Sequence, residues 1–62
     1  MNYLICSSAT KEGLLKCIED FYCGTKMFLL PDGTVKRVVD QRVLSNVRWV
    51  KKGKRFRYES IN

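Results

Sequence analysis

Residues 2–7, NYLICS, are apolar nearly throughout, as expected of a strand covered on both faces. SSAT follows and is rich in helix-capping side chains. The Ser8 or Thr10 hydroxyl can accept a hydrogen bond from a free N–H of a first helical turn. In KEGLLKCIEDFY, the residues Leu14, Leu15, Ile18, Phe21 and Tyr22 recur at the spacing of one helical face. This predicts a helix near residues 9–23, with Cys17 at the edge of the apolar stripe and Lys11, Lys16, Glu19 and Asp20 toward water. Gly24 suits the position just past the helix end, where a left-handed backbone is needed. Gly13 is a weak point inside the helix, costing up to about 1 kcal/mol relative to Ala.

MFLLPDGTVKRVV carries the clearest turn. Pro31 presets φ, Asp32 tolerates the next position, and Gly33 supplies a positive φ. A three-residue loop with a G1 bulge pairs Leu30 with Thr34 and Leu29 with Val35. Met27, Leu29 and Val35 then share a face, and Phe28 and Leu30 point the other way, which allows cover on both sides. Residues 40–46, DQRVLSN, read either as a loop or as the start of a helix through Val43, Leu44, Val47 and Val50.

Residues 47–58 fit a hairpin. With an even-numbered loop around Lys52-Gly53, Lys51 faces Lys54, Val50 faces Arg55, Trp49 faces Phe56, Arg48 faces Arg57 and Val47 faces Tyr58. One face collects Val47, Trp49, Phe56 and Tyr58; the other collects Arg48, Val50, Arg55 and Arg57. An odd-length loop scrambles this match, so the pattern favours hairpin over helix. Aromatic and β-branched cross-strand pairs each contribute roughly 0.2–1 kcal/mol. Lys-Gly lacks the Asn or Asp that a tight two-residue turn prefers.

The predicted class is α+β. Residues 1–62 form one small domain, with one helix packed on a mainly antiparallel sheet in the order β-α-β-β-β-β. Leu14, Ile18 and Phe21 are expected to pack on the hairpin face that carries Trp49. A chain this short buries only about 60% of its unfolded surface, so homodimerisation is a further source of stability. A hydrophobic content of 45% with seven aromatics is nevertheless enough for one core and unlike a disordered chain. MNYLICSS has no basic n-region, and no apolar run approaches the roughly 20 residues that cross a membrane. A cytoplasmic location, away from membranes, is expected. The odd cysteine count agrees, since it does not read as a secreted disulfide framework.

Charge changes the picture more than composition does. The formal net charge is +6. Residues 1–31 are neutral, with Lys11, Lys16 and Lys26 against Glu12, Glu19 and Asp20. Residues 32–62 carry nine Lys and Arg against Asp32, Asp40 and Glu59, and so hold all of the excess. Such asymmetry suits a polyanionic partner.

Much chemistry is excluded. The chain has no histidine, which removes the commonest general base and metal ligand. No two cysteines stand two to four apart, and no phosphate-binding glycine loop is present. Cys6, Cys17 and Cys23 read as core or helix-flank residues, against a thiolate or three-sulfur metal site. Glu19 and Asp20 are adjacent on a helix and do not face each other, so they form no catalytic dyad. CSSATK is a weaker candidate, because the free N–H groups of a helix start with Lys11 attract anions, yet ordinary capping requires the same residues. The chain therefore reads as non-enzymatic, with no cofactor and no metal.

The best candidate is the basic hairpin, with Arg48, Lys51, Lys52, Lys54, Arg55 and Arg57 as its contact residues. Arg48 opposite Arg57 is a repelling pair that a phosphate backbone would relieve. If Trp49, Phe56 and Tyr58 face the core they cannot stack on bases, and binding to DNA or RNA is backbone-directed and tolerant of sequence. The alternative is a protein-interaction or structural module, dimeric or meeting an acidic protein surface, whose basic face is merely solvated.

Overall fold

The computed structural model describes residues 2–61 of the chain. The first apolar run forms β1 (Asn2–Ser8), and the amphipathic stripe forms α1 (Lys11–Phe21). Three short strands follow: β2 (Met27–Leu29), β3 (Val35–Arg37) and β4 (Arg42–Leu44). Two longer strands, β5 (Val47–Lys52) and β6 (Arg55–Ile61), complete the chain. The α+β class is as predicted, and the predicted β-α-β-β-β-β order is kept with one further short strand inserted. The segment 40–46, open between loop and helix, contributes the additional short strand β4. The strands make two antiparallel three-stranded sheets, ordered β1-β6-β5 and β2-β3-β4.

The helix starts where Thr10 caps it. Thr10 is extended (φ −128°), and its Oγ1 accepts the Gly13 N–H at 3.0 Å. Gly13 is more than a weak point, because a Cβ there would stand 2.3 Å from Ser8 Oγ and 2.9 Å from Thr10 Oγ1. At the other end, Cys23 N–H donates to Asp20 O at 3.1 Å and Gly24 N–H to Glu19 O at 2.7 Å. This paired closure is the Schellman motif. Cys23 (φ 59°), rather than Gly24, takes the first left-handed position, and Gly24 (φ 85°) follows it.

The β2–β3 hairpin has the predicted register, with Leu29 opposite Val35. Leu30 N–H donates to Thr34 O at 2.9 Å, Gly33 takes φ 97°, and Asp32 Oδ1 accepts both Thr34 N–H and Oγ1–H. Phe28 is not covered on its side. The second sheet has one buried face, and Phe28 stands 50% exposed on the other, with Lys36 Nζ 5.8 Å from its ring.

The core lies between α1 and the inner faces of both sheets. Leu14, Ile18, Val35 and Tyr58 are fully buried, joined by Cys6, Met27, Leu29 and Val47. Phe21 is not among them and is 56% exposed. The helical repeat places Tyr22, four residues beyond Ile18, on the core stripe and turns Phe21 outward. Tyr22 packs against the core and meets the Tyr58 hydroxyl at 2.7 Å. Trp49 joins the two sheets. Its backbone N–H donates to Gly33 O at 2.9 Å and its indole Nε1–H to Leu30 O at 2.8 Å.

Candidate nucleic-acid interface

The basic stretch does form an antiparallel hairpin with an even loop, but its register differs from the predicted one by one pair of residues. Lys52 faces Arg55, Lys51 faces Phe56, Val50 faces Arg57, Trp49 faces Tyr58, Arg48 faces Glu59 and Val47 faces Ser60. The turn is therefore Gly53-Lys54, not Lys52-Gly53. Gly53 takes φ 62° while Lys54 stays at negative φ. A turn of this hand needs glycine at its first central position, which fixes the register. Because the shift moves each strand by a whole pair, the two faces keep their expected residues.

The inner face carries Val47, Trp49, Phe56 and Tyr58. Trp49 and Phe56 are half-buried, with ring centroids 6.2 Å apart. Lys51 belongs to this side, its Nζ 5.6 Å from the Phe56 ring. Lys11, from the start of α1, lies 5.1 Å from the Trp49 ring. Tyr58 is fully enclosed, while Trp49 and Phe56 pack against the core with one part of each ring and meet a lysine with another.

The outer face of β5 and β6 carries Arg48, Val50, Lys52, Arg55, Arg57 and Glu59. No helix covers it, since α1 lies against the opposite face with its acids Glu12, Glu19 and Asp20. Arg48, Lys52 and Arg55 are exposed, and Lys54 is exposed at the tip. Arg57 is half-buried and ion-paired with Glu59 at 3.0 Å. The repelling Arg48–Arg57 pair is absent, since Arg48 opposes Glu59. The like-charged pair in the observed register is Lys52 opposite Arg55, beside the turn. Ser7 of β1, opposite Arg57, sits on the same face and accepts the Arg55 Nε–H at 3.1 Å. Ser7 is distant in sequence, and only the β1–β6 register brings it here. Five of the six predicted contact residues therefore lie on the outer face or at its tip, and Lys51 lies on the inner side.

At CSSATK, Thr10 caps the helix, and Ser8 Oγ accepts the Thr10 N–H at 3.4 Å. Cys6 is buried in β1, and Cys17 and Cys23 are exposed. Burial, and then the neighbouring Cys17 thiol, push the Cys6 thiol up to about 12. Among the described residues no three His, Cys, Asp or Glu side chains come together as a metal site, and no helix is long and apolar enough to cross a membrane.

One charged pair escaped the sequence reading. Arg37 stands directly opposite Arg42 across β3 and β4, and Asp40 clamps Arg37 through Nε at 3.1 Å and Nη2 at 2.5 Å. The β4 strand had to be known before that pairing existed. Comparison with known proteins returns no matching family model, no matching curated protein and no matching solved structure.

Proposed function

We propose that this protein binds nucleic acid through the open outer face of the β5–β6 hairpin, as a non-enzymatic binding protein. One observation carries this reading. Arg48, Lys52, Arg55 and Arg57 share an uncovered sheet face with a single acid, Glu59, while three of the remaining acids ride on the helix behind it. Along β6, Arg55 and Arg57 stand about 6.6–6.8 Å apart, two strand residues. Lys52 opposite Arg55 is unfavourable when solvated and is relieved when a phosphate lies across both. Backbone atoms, not base edges, are the natural target, because the outer face carries aliphatic Leu4 and Val50 and no aromatic ring.

The test is a titration of single-stranded and duplex DNA and RNA between about 50 and 200 mM salt, followed by fluorescence anisotropy. Four neutralised phosphates on duplex DNA give a slope of log affinity against log salt of about −3.6. Affinity should change little between sequences. Lys52→Gln with Arg55→Gln should weaken binding and flatten the slope by about 1.8. Absence of binding at the lower salt, or an unchanged slope in that variant, would sink the proposal.

A second reading has its own observation. Phe28 and Val43 are neighbours across Lys36 on the uncovered face of the second sheet, each about half exposed, at 50% and 49%. Self-association through that face is the alternative, an interaction module in dimeric form. Sedimentation equilibrium separates the two: a dimer abolished by Phe28→Lys supports association, and a monomer at all concentrations removes it.

A further inference from the structure

Two hollows share Tyr22, Arg37 and Leu44 as a common wall. The first, of about 290 Å³, is otherwise edged by Arg42, Ser45 and Asn46, with Val43 and Val47 beside them. The second, of about 380 Å³, is edged by Phe21, Thr25 and Met27. Neither touches the outer face of the β5–β6 hairpin. One end of the groove is therefore rich in donors, and the other is aromatic.

The donor end is electrostatically unfinished. Arg37 and Arg42 face the same side of the sheet in direct register, a placement that disfavours two like charges. Asp40 satisfies only one of them. It binds the Arg37 guanidinium through both oxygens, and toward Arg42 it accepts only the backbone N–H at 3.2 Å. Among the described residues the Arg42 guanidinium has no acceptor. Among the described residues the Ser45 hydroxyl and the Asn46 side chain hydrogen-bond only each other, at 3.5 Å. An anion bonded to Arg42 would use these donors together, and a phosphate, with three strong acceptor oxygens, matches such a set better than a carboxylate with two.

The aromatic end explains a residue that the fold leaves unused. Phe21 is 56% exposed although it lies on the last turn of an otherwise well-partitioned helix. Its ring stands edge-on to Tyr22, with centroids 4.9 Å apart and planes at 84°. The Tyr22 hydroxyl is already bound to Tyr58, so its ring is held in place. A flat ring seated against Phe21 would cover this surface without disturbing the core. Hollows of this size together fall in the range that takes small organic ligands.

We propose that this groove binds a small phosphate monoester carrying a flat ring, of the nucleoside monophosphate class. The phosphate sits at Arg42, Ser45 and Asn46, beside Arg37, and the ring sits against Phe21. The site is on a different sheet from the proposed nucleic-acid surface and stands independently of it.

The probe is adenosine monophosphate, titrated at constant ionic strength and followed by calorimetry and amide chemical shifts. Saturable one-to-one binding is expected, with shifts at residues 42–46 and around Phe21. Inorganic phosphate alone and adenosine alone should each bind more weakly. Arg42→Gln should weaken the complex about tenfold or more, the usual weight of a charged hydrogen bond. Phe21→Ala should weaken adenosine monophosphate and leave inorganic phosphate unchanged. Both side chains are exposed, so both variants should fold, which circular dichroism checks directly. Arg55→Gln, on the hairpin, should leave this affinity unchanged and reduce only nucleic-acid binding. Non-saturable binding, equal affinity in Arg42→Gln, or shifts confined to residues 47–58 would each overturn the proposal.

Discussion

The hydroxyls of Tyr22 and Tyr58 meet at 2.7 Å, and they are unequally buried: Tyr58 is wholly enclosed and Tyr22 only partly so. The two deletions should therefore differ. Tyr22→Phe strands a fully buried hydroxyl, at about 1–3 kcal/mol. Tyr58→Phe leaves the Tyr22 hydroxyl within reach of water, at about 0.5–1.5 kcal/mol. The double variant should fall well short of the sum, because each hydroxyl is costly mainly when the other has gone. Urea unfolding of the three variants measures this coupling. Burial first, and the Tyr22 contact second, raise the Tyr58 pKa above its ordinary 10.0. Because the folded value is the higher, this contribution to stability is fully present below pH 10 and declines as pH rises above it toward the folded pKa. One tyrosinate absorbance change should accordingly appear only with unfolding.

Phe21 and Trp49 should respond in opposite ways to truncation. Trp49→Ala removes a core contact and the indole bond to Leu30 O, and should cost about 3–5 kcal/mol. Phe21→Ala removes an exposed ring and should stay within about 0.5 kcal/mol of the parent. Thermal unfolding of the two variants decides, and a large loss in Phe21→Ala would place that ring in the core after all.

That contrast also marks how far the sequence could be read. Alternation and periodicity were enough for the helix, the Pro31-Asp32-Gly33 turn and the sorting of Val47, Trp49, Phe56 and Tyr58 onto one face. Each of these is local, set within a few residues. What was not legible was phase. A helical stripe ending in Phe21-Tyr22 does not say which of two adjacent rings faces inward until the helix is docked. A basic hairpin allows two registers with identical faces, and the left-handed demand on Gly53 chose between them. Ser7 meets Arg55 only through the long-range β1–β6 pairing, and Arg37 meets Arg42 only through the short strand β4; neither pair shows in composition or spacing.

The three thiols should separate by reactivity. Cys17 and Cys23 are exposed, and Cys6 is buried with its pKa pushed up to about 12. A thiol reagent at neutral pH should label two cysteines in the native protein and the third only after denaturation. Three fast thiols in the folded state would contradict the enclosed position of Cys6.

Glu59 is the one acid on the proposed nucleic-acid face, opposite Arg48 and bonded to Arg57. Glu59→Gln should strengthen binding to duplex DNA and steepen its salt slope by up to about 0.9, one further phosphate contact. Weaker binding in that variant would mean that Glu59 serves to hold Arg57 in position.

Hydrogen bonds from Arg37 hold Asp40 down to about 2, from an ordinary value of 3.8. The shift is downward, so the clamp is intact above pH 3.8 and opens as pH falls through 2. Carboxyl carbon shifts of Asp40 should titrate in that lower range, and Arg37→Gln should return the midpoint toward 3.8. A wild-type midpoint already at the ordinary value would show that the clamp does not persist in solution.

The pairing of β1 with β6 sets Asn2 against Ile61. Of the strands described, the first in sequence is thus paired with the last. Until residues 55–61 are in place, NYLICSS has no strand to bond with, and its apolar side chains and free edge await a segment distant in sequence. Pairing across so long a loop is slow, because its closure entropy must be met before any contact rewards it. The helix and the β2–β3 hairpin can form meanwhile from neighbouring residues. Closure of that long loop, more than any local folding step, then times the completion of the face that carries Arg55, Arg57 and Ser7.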